Sequence, residues 1–241
     1  MSIRVSVVAP CFDEAEGIEA VVRAWDALLA RQPYESEIVV CDDGSRDETP
    51  SILARLAREL PRLVVVTLPE NGGYGRALSA AIAKSRGEIV VTIDSDGQFD
   101  LEDGLGLARM LEERGLDAVT GYRRAKADTP LRVAADRGLN QLVRRLFGVR
   151  LRDTNCALKA VRGERLRRLR IEARGYPTPT EIVLRLAAEG ARIAEAPVDH
   201  HPRPAGRSKL TPVRTAWAMA RFLLYLRARL SLYRDRIIVE P

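Results

Sequence analysis

Short apolar runs rich in β-branched residues alternate with segments of helical periodicity along the first half of the chain. Five of these runs are predicted strands: Ile3–Ala9, Glu37–Cys41, Leu63–Leu68, Glu88–Ile93 and Asp117–Thr120. The segments between them are predicted helices: Ala15–Ala30, Thr49–Leu60, Gly75–Ser85 and Leu105–Arg114. Strands that alternate with helices in this way form βαβ units, in which consecutive strands lie parallel. The pattern therefore predicts an α/β fold, with a mostly parallel sheet flanked by helices.

The second half of the chain continues this pattern less regularly. Two further strands are predicted at Ala157–Val161 and Arg192–Pro197. The predicted helices are Leu131–Phe147, Glu164–Leu169, Thr180–Glu189 and Pro212–Tyr233. A chain of 241 residues is long enough for one large α/β domain. We expect that domain over residues 1–211, followed by a basic, amphipathic helical segment over residues 212–241.

The sequence gives no sign of export or of membrane insertion. No window approaches the roughly 18 consecutive apolar residues of a spanning helix, and Met1 leads into a strand rather than into the apolar region of a signal peptide. Cys11, Cys41 and Cys156 are odd in number and widely spaced, which favours free buried thiols over a zinc cluster. These features predict a cytoplasmic protein.

Acidic residues follow three of the predicted strands where each strand ends. They are Asp13 and Glu14 after the first, Asp42 and Asp43 after the second, and Asp94 and Asp96 after the fourth. The carboxyl ends of parallel strands meet at one edge of a sheet, where open α/β folds bind their ligands. Carboxylates crowded there repel one another unless a cation or a donor-rich ligand lies among them. We therefore predict a ligand site at this edge.

Asp94 and Asp96 are two residues apart, so both side chains can point to the same side of an extended chain. With the amide oxygen of Gln98 and phosphate oxygens from a ligand, they form an oxygen-rich set. Such a set suits Mg²⁺ or Mn²⁺ rather than zinc. The alternative is that these aspartates cap helices or form Asx turns, and this alternative is stronger for Asp42 and Asp43.

Charge is distributed unevenly along the chain. Residues 1–120 contain 12 Lys and Arg against 22 Asp and Glu, whereas residues 121–241 contain 27 against 11. A basic half is typical of proteins that bind nucleic acid, an anionic membrane surface or phosphorylated ligands. Nucleic-acid binding is the weaker interpretation, because aromatic residues are sparse and no recognition motif accompanies the arginines.

Several stretches together resemble the family 2 inverting glycosyltransferases of GT-A (Rossmann-like) fold, and among them the dolichol-phosphate mannose synthase-like branch, which glycosylates polyprenyl phosphates. These stretches are VVAPCFDE (7–14), VCDDGSRDET (40–49), ENGGYGRALSAAIAKSRGEIVVTIDSDGQFD (70–100), TGYRR (120–124), RVAADRGLNQLVRRLFGVRLRDTNCALKA (132–160) and RPAGRSKL (203–210). They occur in the family's order over most of the chain. The resemblance implies transfer of a hexose, mannose or glucose, from a GDP- or UDP-sugar to a polyprenyl phosphate.

The resemblance also implies roles for individual residues. Asp94-Ser95-Asp96 corresponds to the DXD motif, in which Asp94, Asp96 and Gln98 would hold Mg²⁺ or Mn²⁺. The remaining residues implied in nucleotide-sugar binding are Pro10, Glu14, Asp42, Asp43, Arg207 and Lys209. Those implied at the acceptor phosphate are Arg123, Arg132 and Asn140. Asp96, Arg123 and Arg132 are the implied catalytic residues.

The identity of the acceptor depends on one position that departs from the family's pattern. Asp136 stands where many relatives have a serine that contacts the lipid phosphate, and a carboxylate would repel that phosphate. A lipid phosphate attacks without a general base, whereas a hydroxyl acceptor requires one. Asp136 and Glu181 are the candidate bases for that alternative, although Glu181 and Arg185 also have the spacing of an ion pair within a helix.

The last predicted helix bears on membrane contact. Arg214, Arg221 and Arg229 recur at helical spacing, with Trp217 and Phe222 elsewhere on the surface. One interpretation is an interfacial helix that holds the enzyme peripherally at the inner face of the cell membrane. The alternative is that its apolar residues pack on the domain.

Overall fold

In the computed structural model of the protein, the described residues are 3–124, 130–202, 212–239 and 241. Over 130–137 and 212–216 the description covers the backbone alone. The strands are β1 (Val5–Cys11), β2 (Ser36–Asp42), β3 (Leu63–Thr67), β4 (Ile89–Thr92), β5 (Ala118–Arg123), β6 (Lys159–Arg162) and β7 (Ile193–Val198). The helices are α1 (Ile18–Leu29), α2 (Thr49–Glu59), α3 (Tyr74–Lys84), α4 (Leu101–Glu113), α5 (Pro130–Phe147), α6 (Gly163–Arg168), α7 (Thr178–Ala188) and α8 (Pro212–Arg234).

These elements form one sheet of seven strands in the order β3-β2-β1-β4-β6-β5-β7. Neighbouring strands run parallel except at β6, which is antiparallel to both β4 and β5. The prediction of a mostly parallel sheet flanked by helices is confirmed, and each predicted element is present. The largest shift concerns α4, which begins at Leu101 rather than Leu105 because Leu101 itself packs into the core.

Side chains alternate between the two faces of the sheet, as strand geometry requires. Val7 of β1 and Val40 of β2 enter one hydrophobic cluster, beneath α1, α2 and α4. Val8 and Val39 enter a second cluster on the opposite face, beneath α3 and α7. The site described below lies at the carboxyl ends of β1, β2 and β4, at the edge of the sheet that separates these two clusters.

The long helices α5 and α8 form a third, smaller cluster with α7. Val143, Leu184, Leu223 and Leu226 are buried in it. Among the helices of the described ranges, none is both long and apolar enough to cross a bilayer. The division of the chain at residue 211 stays a prediction.

Candidate functional site

The acidic loops after β1, β2 and β4 are bound to one another. The Ser45 hydroxyl accepts a hydrogen bond from the Asp13 backbone N–H at 2.9 Å, and Asp13 in turn accepts one from the Arg46 N–H at 2.9 Å. The Ser95 hydroxyl, in the loop after β4, donates to the carbonyl oxygen of Pro10 at 2.8 Å. The three loops therefore lie together at this edge of the sheet, as the sequence predicted.

Asp42 is completely buried at the end of β2. Its Oδ1 accepts hydrogen bonds from the Ser45 hydroxyl and, at 3.2 Å, from the Ser45 backbone N–H. Its Oδ2 is buried and has no hydrogen-bond partner among the residues that the structure describes. Asp42 borders a cleft of about 450 Å³, which is also lined by Gly44, Ser45, Arg46, Pro50, Thr67, Leu68, Pro69, Glu70 and Asn71. Asp42 therefore lines the cleft and also has a buried acceptor without a donor among the described residues.

Asp43 holds the glycine-rich loop that precedes α3. Its Oδ1 accepts from the Gly72 N–H and its Oδ2 from the Gly73 N–H, both at 2.8 Å. Gly73 has a φ of +89°, a conformation that residues with a Cβ rarely adopt. Asp43 thus shapes the backbone of this loop, and direct contact between Asp43 and a nucleoside stays a prediction.

The Asp94–Gln98 turn follows β4. Asp94 Oδ1 accepts a hydrogen bond from the Tyr74 hydroxyl at 2.9 Å, and Asp96 Oδ1 accepts one from the Gln98 backbone N–H at 3.0 Å. The Gln98 Nε2 donates to the carbonyl oxygen of His201 at 3.0 Å, while the His201 N–H donates to the Gln98 carbonyl oxygen at 2.9 Å. The turn is thereby joined to the segment after β7.

The donor set of this turn fits a hard divalent cation as part of its coordination shell. Two carboxylates and one amide oxygen are the ligand types that Mg²⁺ and Mn²⁺ prefer. Within the described ranges, no group of three or more His, Cys, Asp and Glu side chains is arranged to hold a metal on its own. Oxygen atoms of a bound ligand would therefore have to complete the shell, as the phosphates of a nucleotide can.

Arg123, at the end of β5, forms an ion pair with Asp153, whose carboxylate is buried. Arg123 Nε donates to Asp153 Oδ2 at 2.7 Å. Asn140 of α5 accepts hydrogen bonds through its Oδ1 from the Thr154 N–H and hydroxyl, both at 3.0 Å. The structure therefore brings Arg123 and Asn140 to the same loop, residues 153–155.

Other predicted site residues cannot be placed in this way. The side chains of Arg132 and Asp136 belong to the part of α5 whose backbone alone is described. Arg207 and Lys209 lie outside the described residues. Their roles at the donor and acceptor phosphates stay predictions.

Glu181 forms the predicted ion pair with Arg185, at 2.6 Å, and both side chains are completely buried. The Glu181 carboxylate also accepts hydrogen bonds from the backbone N–H groups of Glu172 and Ala173, at 3.0 and 2.8 Å. The ion-pair interpretation is confirmed. Arg185 and the backbone of residues 172–173 thus hold the Glu181 carboxylate, as is typical of a structural residue, and its role as a general base stays a prediction.

Sequence reasoning missed two polar residues of the site, Tyr74 and Lys159. Lys159 of β6 is buried, and its Nζ donates to the Thr120 hydroxyl at 2.8 Å and to the Thr154 carbonyl oxygen at 3.3 Å. Burial lowers the pKa of Lys159 to about 8. The available signal was the position of this lysine in the middle of the apolar run Ala157–Val161. Lysine is rarely fully buried unless it has partners, so a lysine in a buried strand indicates a polar contact.

The three cysteines are free and buried, as predicted. Burial raises the pKa of all three thiols, that of Cys41 and Cys156 to about 12. At neutral pH these thiols are therefore protonated and poor nucleophiles.

Comparisons with known proteins bear on this arrangement. Residues 6–164 match the model of glycosyl transferase family 2. The dodecaprenyl-phosphate galacturonate synthase of Rhizobium johnstonii is 32% identical over 217 residues, which are 89% of this chain and 64% of that protein. The undecaprenyl-phosphate 4-deoxy-4-formamido-L-arabinose transferase of Pseudomonas fluorescens is 33% identical over 87% of this chain and 61% of its own length. The chain thus spans somewhat less than two thirds of either relative.

A solved structure with the same fold is the mannosyltransferase PcManGT from Pyrobaculum calidifontis, in complex with GDP-Man and Mn²⁺. It superposes with a TM-score of 0.62 at 25% identity, over 86% of this chain and 59% of that one. The match to the family model covers more than half of the chain, and the sheet with its flanking helices agrees with the solved structure. The protein is therefore a member of glycosyl transferase family 2, with the GT-A fold.

Proposed function

We propose that the protein transfers a sugar from a nucleotide sugar to a polyprenyl phosphate, with inversion and with the help of Mg²⁺ or Mn²⁺. The sugar implied by the sequence resemblance is mannose or glucose. The names of the two relatives, with galacturonate and formamido-arabinose, widen that choice. The observation that carries the proposal is the buried Oδ2 of Asp42, which has no donor among the described residues, on a residue that lines a cleft. The loop of Asp42 is joined through the loop after β1 to the Asp94–Gln98 turn.

The donor base is assigned to the cleft at Asp42. An unsatisfied buried acceptor costs roughly 1–3 kcal/mol, so a ligand that donates to Asp42 Oδ2 gains from satisfying it. The ring N–H of uracil or of guanine is a donor of this kind. Thr67 and Leu68 at the end of β3 line the same cleft and offer it a partly apolar wall.

The diphosphate of the donor is assigned to the Asp94–Gln98 turn. Asp94, Asp96 and Gln98 are the residues that would hold the cation. When bound, the cation supplies positive charge that offsets the charge of the departing nucleoside diphosphate. The complex of PcManGT with GDP-Man and Mn²⁺ supports this assignment.

The acceptor phosphate is assigned to the region of Arg123 and Asn140. A phosphate monoester is anionic near neutral pH and needs no general base to attack the anomeric carbon. The burial of Glu181, one of two candidate bases, favours this acceptor over a hydroxyl group. Arg123 would align the attacking phosphate, and its ion pair with Asp153 fixes its orientation. The polyprenyl phosphates in the names of both relatives support the choice.

A lipid acceptor requires contact with a membrane surface, for which α8 offers a suitable face. Trp217, Leu224 and Leu232 are 67%, 62% and 41% exposed. They recur at intervals of seven and eight residues and so lie on one side of the helix, together with the exposed Arg221. Aromatic and apolar side chains next to arginine are typical of helices that lie in the interface of an anionic membrane. We propose peripheral binding through this outer face of α8.

The experiment that tests the donor assignment is a binding panel with UDP, GDP and their hexose conjugates, each with Mn²⁺, with Mg²⁺ and with EDTA. We expect one nucleotide series to raise the unfolding temperature, and its effect to shrink when EDTA replaces the metal. If no nucleotide changes the unfolding temperature, the proposal is contradicted.

A further inference from the structure

Tyr74 is the first residue of α3 and contacts the Asp94–Gln98 turn. Its ring is partly buried against the hydrophobic cluster that contains α3. Its hydroxyl donates to Asp94 Oδ1 at 2.9 Å. Tyr74 therefore joins the packing of α3 to this carboxylate.

The position of Tyr74 is fixed from both sides by its backbone neighbours. Before it, the N–H groups of Gly72 and Gly73 are bound by Asp43. After it, the Gly75 N–H donates to the Arg174 carbonyl oxygen at 3.1 Å. A Cβ added at Gly75 would lie 1.7 Å from the Ala173 carbonyl oxygen, which shows how closely the two segments pack.

Such a contact has a recognised physical consequence for a carboxylate that binds a cation. A carboxylate on a short aspartate side chain can rotate about χ1 and χ2, and a hydrogen bond to one oxygen restricts that rotation. Partners of this kind orient metal ligands, and their loss typically weakens metal binding by roughly 10- to 100-fold.

We propose that Tyr74 is a positioning residue, whose hydroxyl holds the Asp94 carboxylate in the orientation that binds a divalent cation together with a nucleoside diphosphate. This inference rests on the proposed function. It assigns to Tyr74 a role in cation affinity rather than in the stability of α3.

The test compares Tyr74→Phe with Tyr225→Phe. Tyr225 also donates its hydroxyl to a carboxylate, that of Glu172, which keeps ion pairs with Arg185 and Arg229 when the hydroxyl is removed. Mn²⁺ affinity in the presence of UDP or GDP is measured by electron paramagnetic resonance of free Mn²⁺. We expect Tyr74→Phe to weaken Mn²⁺ binding about 10- to 100-fold, and Tyr225→Phe to leave it within about twofold of the wild type.

A double-mutant cycle separates positioning from a general loss of structure. If Tyr74 acts through Asp94, Tyr74→Phe weakens Mn²⁺ binding no further in a chain that already carries Asp94→Asn. An equal loss in both backgrounds would overturn the inference, as would unchanged affinity in the single variant. A wild type that binds nucleotide but no Mn²⁺ would overturn it as well. A wild type that binds neither would overturn the proposed function and this inference together.

Discussion

At the scale of single residues, the proposal for the donor base depends on the carboxylate of Asp42. Half of its carboxylate is satisfied by Ser45, whereas the other oxygen has no donor among the described residues. Proteins seldom leave a buried acceptor in this state. The proposed function supplies such a donor, namely the base of a nucleotide in the adjoining cleft.

Asp42→Asn replaces one carboxylate oxygen with an amide that can only donate. We expect nucleotide affinity to fall by roughly 10- to 100-fold, because a lost hydrogen bond to a charged acceptor is worth about 1.5–3 kcal/mol. Isothermal titration with UDP and GDP measures this loss. Asp26→Asn, which removes the surface partner of Arg62, is the control and should bind as the wild type does. Equal affinity of all three proteins would count against the cleft as the base site.

Lys159 gives a prediction about the pH dependence of stability. Its pKa falls from 10.5 in the unfolded chain to about 8 in the folded protein. Between these values the unfolded chain binds more protons, so the free energy of unfolding rises with pH. Lys159→Met removes this pH-dependent contribution to stability and nearly keeps the side-chain volume. Between pH 7.5 and pH 10.5, we expect the free energy of unfolding of the wild type to rise by up to about 3 kcal/mol more than that of the variant.

Chemical denaturation of both proteins at pH 7.5, 9 and 10.5 measures this difference. Other groups that titrate in the alkaline range contribute to both chains and cancel in the comparison. A constant difference between wild type and Lys159→Met across this range would show that Lys159 is not the titrating group.

At the scale of elements, the start of α3 is the most tightly fitted junction of the site. Gly75→Ala would place a Cβ 1.7 Å from the Ala173 carbonyl oxygen, so α3 and the loop before α7 would have to move apart. We expect a destabilisation of about 1–3 kcal/mol, which is the usual cost of overpacking.

The matched control is Gly106→Ala in α4, where an added Cβ meets only the Arg109 guanidinium at 3.8 Å. Because alanine favours helix more than glycine does, this variant should be stabilised by about 0.5–1 kcal/mol. Thermal unfolding of both variants is the measurement. A Gly75→Ala protein as stable as the wild type would contradict the packing described here.

The outer face of α8 is tested by vesicle sedimentation. We expect Trp217→Ala with Leu224→Ala to reduce binding to vesicles that contain phosphatidylglycerol. Arg221→Gln should weaken binding by about fivefold, since a basic residue near an anionic surface contributes about 1 kcal/mol. Arg31→Gln, at the end of α1 in another layer of the molecule, is the control. Unchanged binding of the Trp217 and Leu224 variant would exclude this face as the membrane contact.

At the scale of the whole molecule, the features that depend on local sequence could be predicted. β-Branched runs and helical periodicity indicated every strand and helix, because each element buries its own apolar side. The acidic loops could be assigned to one edge because parallel strands share a direction. The antiparallel insertion of β6 between β4 and β5 was not predictable from these patterns, since strand order depends on contacts between distant segments.

The same distinction applies within the site. Asp94 and Asp96 could be identified because their spacing is itself the signal. The contacts of Asp43 with the glycine-rich loop, and of Tyr74 with Asp94, join residues 20 to 30 positions apart. Such contacts exist only after the sheet has formed, so no local pattern indicates them. The burial of Lys159 is of the same kind.

Metal-assisted transfer of a sugar to a polyprenyl phosphate is the activity we propose, and the most direct test measures this transfer. Wild type and Asp96→Ala are incubated with polyprenyl phosphate, Mn²⁺ and the nucleotide sugar that binds best, and the lipid product is quantified by mass spectrometry. We predict a glycosylated polyprenyl phosphate from the wild type and a loss of at least about 100-fold in Asp96→Ala, in line with the removal of one electrostatic stabiliser of the transition state. Full-rate transfer by Asp96→Ala, or a wild type that glycosylates a hydroxyl acceptor but not the lipid phosphate, would contradict the account.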